Sequence, residues 1–243
     1  MKSLIAATLL IVTCSLSAFS QSDSRADLLK ELETKRAELA KLEQAVLQPA
    51  TEDRETYAQF LAQPNTGLIR LLPREKYESN ANNKSGLTIR GGGAFYSFTR
   101  QSHEYGISTD LGLDQGNLSV GFAGADYGML AKFDGANLED ITTELPGITF
   151  LANYNAAASE PDARIEQRRF GGGGTVVDGI SYKGHLRAEV GATYVLRSIV
   201  FGGSDVLVAF KVVRKDTDGS LIIAWKLLKK FPKPELNRST ASS

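Results

Sequence analysis

Short runs of β-branched and aromatic residues, separated by glycine-rich turns, fill the chain from residue 67 to residue 231. Two of these runs, 206–214 and 220–228, are joined by a Lys-Asp-Thr-Asp-Gly segment that is typical of a hairpin connection. No helix-length segment between the runs could carry the chain across a sheet to a parallel neighbour. The sequence therefore predicts a mainly β domain over residues 67–231, an antiparallel sandwich or barrel.

The candidate strands of this domain are residues 68–72, 87–90, 94–99, 105–113, 117–122, 127–133, 148–154, 175–182, 193–201, 206–214 and 220–228. The run 206–214 is apolar on both alternating faces as far as Lys211, which predicts a central strand that is covered on each side. Trp225 is expected in the same core.

An internal similarity lies inside the β-rich region. Residues 119–126, Ser-Val-Gly-Phe-Ala-Gly-Ala-Asp, are matched 79 residues later by Ser-Ile-Val-Phe-Gly-Gly-Ser-Asp at 198–205. A duplication would make residues 90–135 and 169–214 two similar halves. The alternative is a pair of unrelated glycine-rich hairpins.

The segment before the β domain has a different character, because residues 22–47 contain no glycine or proline and are rich in good helix formers. Two interleaved series with a seven-residue repeat mark an apolar seam: Leu32, Leu39 and Val46, and Leu28, Lys35 and Leu42. Residues 21–49 are therefore predicted to form an amphipathic helix or a short coiled coil. The helix either self-associates or binds a protein partner through residues 22–48, or it lies on its own β domain. A short helix and a turn are expected over residues 50–66.

The first 20 residues have the three parts of a secretory signal: Lys2, an apolar run over residues 4–12, and small residues before a cut after Ser20. The apolar run is shorter than the roughly 20 residues that a membrane-spanning helix needs. We therefore expect an extracytoplasmic protein, periplasmic or secreted, that touches a membrane only peripherally. In an alternative interpretation Cys14 carries a lipid, since residues 11–14 resemble the lipobox of bacterial lipoproteins, although Thr13 stands where that pattern has Gly, Ala or Ser.

The charge balance bears on the class of partner. The chain carries 28 Lys and Arg against 28 Asp and Glu, so it lacks the global basic field of nucleic-acid-binding proteins, and no nucleic acid is expected as a partner. Residues 232–243, with prolines and a Ser/Thr-rich end, are predicted to be a flexible tail.

A search for catalytic motifs gives mostly negative results. The sequence has no Gly-x-Ser-x-Gly elbow and no P-loop, and His103-Glu104 is followed by Ile107 where a zincin would place its second histidine. No metal site and no cofactor are therefore predicted. The glycine runs at 91–93 and 171–174 indicate bends or close backbone approach rather than a phosphate cradle.

Two polar clusters remain as candidate sites. His103, Glu104 and Asp110 could support acid–base catalysis from a loop, with Tyr105 beside them as a ligand-binding residue. The second cluster lies in what is expected to be a solvated loop after Tyr154, where an acidic partner could be gripped by Arg164, Arg168 and Arg169.

The sequence thus favours an exported, non-catalytic protein of the cell envelope with a role in binding, assembly or structure. The alternative is an envelope hydrolase of unfamiliar type that uses the His103 region.

Overall fold

The computed structural model describes residues 12–79 and 86–237, with side chains from residue 24 onward. The chain divides into two compact units, Met1–Val46 and Leu47–Ser243. The expectation of a mainly β protein with antiparallel sheets and an N-terminal helix is confirmed.

The helices in chain order are α1 (Val12–Leu47), α2 (Thr51–Thr56), α3 (Ala58–Leu61), α4 (Arg74–Tyr77), α5 (Ile148–Asn153) and α6 (Glu160–Gly171). The strands are β1 (Thr66–Leu71), β2 (Phe95–Tyr96), β3 (Leu111–Asp114), β4 (Asn117–Ser119), β5 (Tyr127–Phe133), β6 (Thr175–Val177), β7 (Ile180–Tyr182), β8 (His185–Arg187), β9 (Thr193–Ile199), β10 (Asp205–Lys215) and β11 (Leu221–Lys230).

The first unit is the helix α1, which ends two residues before Pro49 because the residue preceding a proline is disfavoured in helical conformation. Five of its leucines are strongly exposed, with between 44% and 66% of their surface accessible: Leu28, Leu29, Leu32, Leu39 and Leu42. In the part of the chain that the structure describes, no helix has the length and apolarity needed to cross a membrane.

A five-stranded antiparallel sheet in the order β1-β11-β10-β9-β5 forms the centre of the second unit. Its middle strand β10 is covered on both faces, as predicted. Val206, Val208 and Phe210 point into one core cluster, whereas Leu207 and Ala209 point into the other. This alternation follows from the period of two in a strand. The continuous apolar run is therefore explained by burial on both sides.

A smaller sheet in the order β2-β3-β4-β8 lies on one side of this central sheet. The two sheets share a core cluster, to which β3 contributes Leu111 and Leu113 and β10 contributes Phe210. Trp225 of β11 belongs to this cluster and is only 2% exposed, as expected.

Helices cover the opposite face of the five-stranded sheet. Phe60 of α3, Leu151 of α5 and Phe170 of α6 share the second core cluster with Leu207 and Ala209 of β10. Because Phe60 is buried in this cluster, the short helices that follow Leu47 belong to the same compact unit as the sheets.

Two segments that were predicted to be a strand and a loop are helical. Residues 148–154, predicted to be a strand, form helix α5, whose buried Ile148, Leu151 and Ala152 have helical rather than alternating spacing. The predicted loop containing Arg164, Arg168 and Arg169 is wrong as well, because these residues lie on helix α6. The hydroxyl of Ser159 accepts a hydrogen bond from the Asp162 amide and caps this helix.

Among the predicted strands, 127–133 has the predicted bounds, whereas 87–90 forms only an isolated bridge between Leu87 and Glu78. The candidates 94–99, 105–113 and 117–122 shorten to β2, β3 and β4, because turns or irregular backbone occupy most of the remaining residues.

The predicted duplication is not reflected in the topology. Strand β4 pairs with β3 and β8, and β5 pairs with β9 in the other sheet. Their counterparts at the offset of 79 lie in β9 and β10, which pair with each other. The similar segments therefore connect strands in different ways, across two sheets in one case and around a hairpin in the other. The alternative of two unrelated glycine-rich connections fits this difference.

Residues 232–237, part of the predicted tail, contact the domain through backbone hydrogen bonds. The Gly202 amide donates to the Pro234 carbonyl at 2.9 Å, and the Asn237 amide donates to the Ala158 carbonyl at 2.8 Å. Pro234 is buried. These contacts hold the segment on the domain as far as Asn237; the rest of the predicted tail lies outside the described residues.

Candidate functional site

His103 lies in a packed polar contact rather than in a catalytic arrangement. Its Nε2 is 2.9 Å from the carbonyl oxygen of Arg70, and its ring lies edge-on to Tyr96 with 5.0 Å between centroids. Burial lowers the pKa of His103 to about 4, only partly offset by the bond to Arg70. The imidazole is therefore neutral at neutral pH, and Nε2 donates its hydrogen to the carbonyl.

Asp110 is fully buried at the residue before β3. Its Oδ2 accepts a hydrogen bond from the Phe98 amide at 2.8 Å, and Ser204 Oγ lies 3.5 Å from Oδ1. Burial raises the pKa of Asp110 to about 6, although neighbouring serine hydroxyls and the Phe98 amide act in the opposite direction. This carboxyl joins the loop before β3 to the turn between β9 and β10.

Glu104 is exposed, and its backbone amide donates a hydrogen bond to Ser102 Oγ at 3.1 Å. No hydrogen bond joins any two of the side chains of His103, Glu104 and Asp110, all of which the structure describes. The predicted catalytic candidates are thus neighbours in sequence that serve separate contacts in the fold.

The three candidate arginines on α6 have different surroundings. Arg164 pairs with Glu160 at 2.7 Å, and Arg169 pairs with Glu166 at 3.2 Å and donates to Thr175 Oγ1. Arg168 is exposed and forms no ion pair with any described residue. Arg164 and Arg168 line an open groove of about 1020 Å³ between α6 and the C-terminal segment, and Arg169 does not.

Tyr105 lines two cavities and packs against two other aromatic rings. Its ring centroid is 4.7 Å from that of Phe95 and 6.4 Å from that of Phe122, and Phe95 and Phe122 are 5.1 Å apart. The Tyr105 hydroxyl donates to the Phe122 carbonyl at 3.1 Å. We call these three rings the aromatic trio.

Two adjoining cavities share Tyr105 as a wall, and together we call them the Tyr105 cleft. The Phe95 lobe has a volume of about 320 Å³ and includes Phe122 and Asp114. The Arg90 lobe has a volume of about 470 Å³ and is walled by Ile107 and Phe201 among others. The loop 121–126 contributes residues to both lobes.

An arginine stands over an aromatic ring in each lobe. The guanidinium carbon of Arg74 is 5.8 Å from the centroid of Phe95, and that of Arg90 is 5.1 Å from the centroid of Tyr105. Arg74 also forms an ion pair with Glu78, and Asp114 lies in the same lobe. The Phe95 lobe therefore combines charges of both signs over an apolar floor.

Helix α6 supports the loop that lines both lobes. Gln167 Nε2 donates to the carbonyl oxygens of Gly124 and Asp126, at 3.2 and 3.0 Å. The Asp126 carboxylate in turn accepts a hydrogen bond from the Phe201 amide at 2.9 Å. The loop is thus fixed to α6 and to the residues that follow β9, which gives the cleft a defined shape.

The sequence pattern named Tyr105 as a candidate but not the groups around it. Phe95, Phe122, Arg74 and Arg90 come from separate segments that only the fold brings together. The available signal was the glycine run after Arg90, which marks a close approach of backbone. Within the described ranges, no group of three His, Cys, Asp or Glu side chains could hold a metal ion.

Comparison with known proteins identifies no relative: no family model, no curated protein and no solved structure matches this chain.

Proposed function

We propose that this chain is an exported, non-catalytic binding protein of the cell envelope whose ligand occupies the Tyr105 cleft. The observation that carries the proposal is the cleft itself, with its two lobes of about 320 and 470 Å³ on either side of Tyr105. Small-molecule sites are typically concave, apolar and roughly 300–1,000 Å³ in volume, with a few polar groups that orient the ligand. Export rests on the signal-like residues 1–20.

The contacts of the catalytic candidates favour binding over the envelope hydrolase that was the alternative. A general base must reach the proton that it removes, with its lone pair available. Burial lowers the pKa of His103 to about 4, which makes it a weak base, and the buried Asp110 already accepts the Phe98 amide. Both side chains contribute to the structure of the loop that carries Tyr105.

The scaffold suits a binding role, because loops held on a rigid β structure are common locations for binding residues. We describe the five- and four-stranded sheets, which share a core cluster, as an antiparallel sandwich. The exposed leucines of α1 support self-association through residues 22–48 as a short coiled coil. Such an assembly would present several clefts on one particle.

Nuclear magnetic resonance of the purified protein tests the location of the site. The probe is a soluble digest of bacterial cell wall, which contains short peptides and glycan fragments. We expect shifts of the amide resonances of Gly106, Gly121 and Gly124, which line the cleft, and none at Gly219 in the β10–β11 turn. If the three cleft glycines do not respond while the digest is in large excess, the proposed site is wrong.

A pair of substitutions at Tyr105 provides the control. Tyr105→Phe removes only the hydroxyl that bonds to the Phe122 carbonyl and should retain the shifts, whereas Tyr105→Ala removes the shared wall and should abolish them. An unchanged Gly219 resonance in both variants shows that the fold is retained. Equal shifts in the Tyr105→Ala variant would place the ligand elsewhere.

A further inference from the structure

Arg90 is an exposed cation whose charge is not matched by a nearby carboxylate. Its guanidinium stacks on Tyr105, and across the described part of the chain no carboxylate forms an ion pair with it. Arg74, in the other lobe, is paired with Glu78. The one carboxyl that lines the Arg90 lobe, Asp126, accepts the Phe201 amide instead, and burial raises its pKa. The Arg90 lobe therefore favours an anionic group.

The backbone of Arg90 is fixed against Tyr105. The Tyr105 amide donates to the Arg90 carbonyl at 3.1 Å, so backbone and side chain of Arg90 contact the same residue. Gly91 then turns the chain with φ of +84°, and a Cβ at this position would lie 2.6 Å from the ring of Phe95. The glycine run thus brings Arg90 against the aromatic trio. A guanidinium that is already oriented loses less conformational entropy when it binds a ligand.

The walls of the Arg90 lobe limit what can accompany the anion. Apart from Arg90 and Asp126, the walls are formed by small or apolar residues, and the space beside Gly106 and Gly124 is open, since a Cβ there would meet no atom within 4 Å. Ile107, 72% exposed, and Phe201 provide apolar contacts. One small apolar group attached to the anion would fit these walls.

The rings are less suited to a stacked sugar. Tyr105 already contacts Arg90, Phe95 and Phe122, and these contacts compete for the ring faces on which a sugar would lie. A peptide has a group for each part of the cleft. Its terminal carboxylate can bind the guanidinium, and a small side chain can contact the apolar wall. Its polar backbone can contact the charged groups of the Phe95 lobe. A carboxylate also matches the two-point geometry of arginine.

We infer that the Tyr105 cleft binds the carboxyl-terminal end of a peptide, with the terminal carboxylate on Arg90 and a small apolar last side chain against Ile107 and Phe201. The preceding residues cross Tyr105 into the Phe95 lobe. This inference rests on the proposed function and adds the chemical class of the ligand to it.

Calorimetric titration of the purified protein with two probes tests the inference: acetyl-Ala-Ala-Ala with a free carboxylate, and the same peptide as its C-terminal amide. A charged two-point hydrogen bond predicts that the acid binds about 10-fold to 100-fold more tightly than the amide. Arg90→Gln should lower the affinity for the acid to that for the amide and leave the amide unchanged. Arg168→Gln, which removes another exposed arginine without an ion pair, should change neither affinity.

Each of the following results would overturn the inference. If the acid and the amide bind with equal affinity, or if Arg90→Gln weakens both equally, Arg90 does not bind the carboxylate. Inorganic phosphate that displaces the acid at similar concentration would identify a simple anion site.

If acid and amide bind equally and Tyr105→Ala removes both, the cleft is still a binding site and only the ligand class is wrong. If neither peptide nor the cell-wall digest affects the cleft, the proposed function fails as well.

Discussion

Arg197 of β9 and Asp205 of β10 form a two-point ion pair inside the protein, with distances of 2.5 Å from Nε to Oδ1 and 2.8 Å from Nη2 to Oδ2. At most 4% of either side chain is exposed. Arg197 Nη1 also donates to the Leu151 carbonyl at 2.6 Å, which connects α5 to the central sheet. The pair therefore holds a helix and two strands at one buried point.

Removal of one partner should be strongly destabilising, because the other charge would remain buried and unpaired. We expect Asp205→Asn to lower the free energy of unfolding by about 3–5 kcal/mol, measured by urea denaturation. The exposed pair of Arg164 and Glu160 is the matched control, and Glu160→Gln should cost less than about 1 kcal/mol. Similar losses in the two variants would contradict the structural role of the buried pair.

Asp110 should make stability depend on pH. Its pKa rises from 3.8 to about 6 on folding, so the folded state holds the proton more tightly than the unfolded state. The resulting stability is fully present below about pH 4 and is lost as the pH rises through about 6, a change of about 3 kcal/mol. Asp110→Asn should remove this contribution, so that its free energy of unfolding rises more steeply with pH than that of the wild type, whereas Asp114→Asn, at an exposed position, should keep the wild-type profile. The same pH profile in wild type and Asp110→Asn would refute the assignment.

The contribution of His103 to the free energy of unfolding should change with pH in the opposite direction. Burial lowers its pKa from 6.5 to about 4, so stability is present above about pH 6.5 and is lost as the pH falls through about 4. Between about pH 4 and 6 the contribution of Asp110 to the free energy of unfolding falls while that of His103 rises. The free energy of unfolding of the wild type should therefore change less with pH than that of Asp110→Asn or His103→Gln. His103→Gln should expose the fall due to Asp110. His185→Gln, at the exposed second histidine, should leave the wild-type profile unchanged.

The strands of the central sheet could be predicted because a short apolar run between turn residues fits a buried strand. Tyr127–Phe133 and the apolar run of β10 are bounded by turn residues and buried on both faces, so propensity and packing agree. Ile148, Leu151 and Ala152 lie in a segment too short to distinguish a strand from a helix by spacing. Helix α6 buries only Ala163 and Phe170, and its polar composition resembles that of a loop.

The site was less predictable than the fold, because its chemistry depends on distance in space. Tyr105 could be named from its polar neighbours in the sequence, but those neighbours, His103 and Asp110, serve other contacts. The groups that do surround Tyr105 include Phe95 and Phe122, which as single aromatic residues look like core. A pattern along the chain does not indicate which buried ring borders a cavity.

Cleavage at the N-terminus distinguishes a free exported protein from one that is tethered to a membrane by a lipid. When the full chain is expressed in a bacterial host, we expect the exported protein to begin at Gln21, because the small residues Ala18 and Ser20 suit a cut after Ser20. Amino-terminal sequencing and intact mass provide the measurement. A mature protein that begins at a lipid-modified Cys14 would instead support the tethered alternative, and an uncleaved chain would contradict the signal itself.

Self-association through α1 is the remaining prediction. If residues 22–48 form a coiled coil, their deletion should convert an oligomer into a monomer in multi-angle light scattering. Leu39, in the seven-residue series, and Leu29, outside it, are both exposed at 45% and 61%. Leu39→Ala should therefore weaken assembly, whereas Leu29→Ala should have little effect, because only seam positions insert between the side chains of a partner helix. Lys35 in the seam limits the affinity, so dissociation should occur at micromolar rather than nanomolar concentration, on the order of 1–10 μM. A full-length protein that is monomeric well above that range would show that the exposed leucines do not mediate assembly.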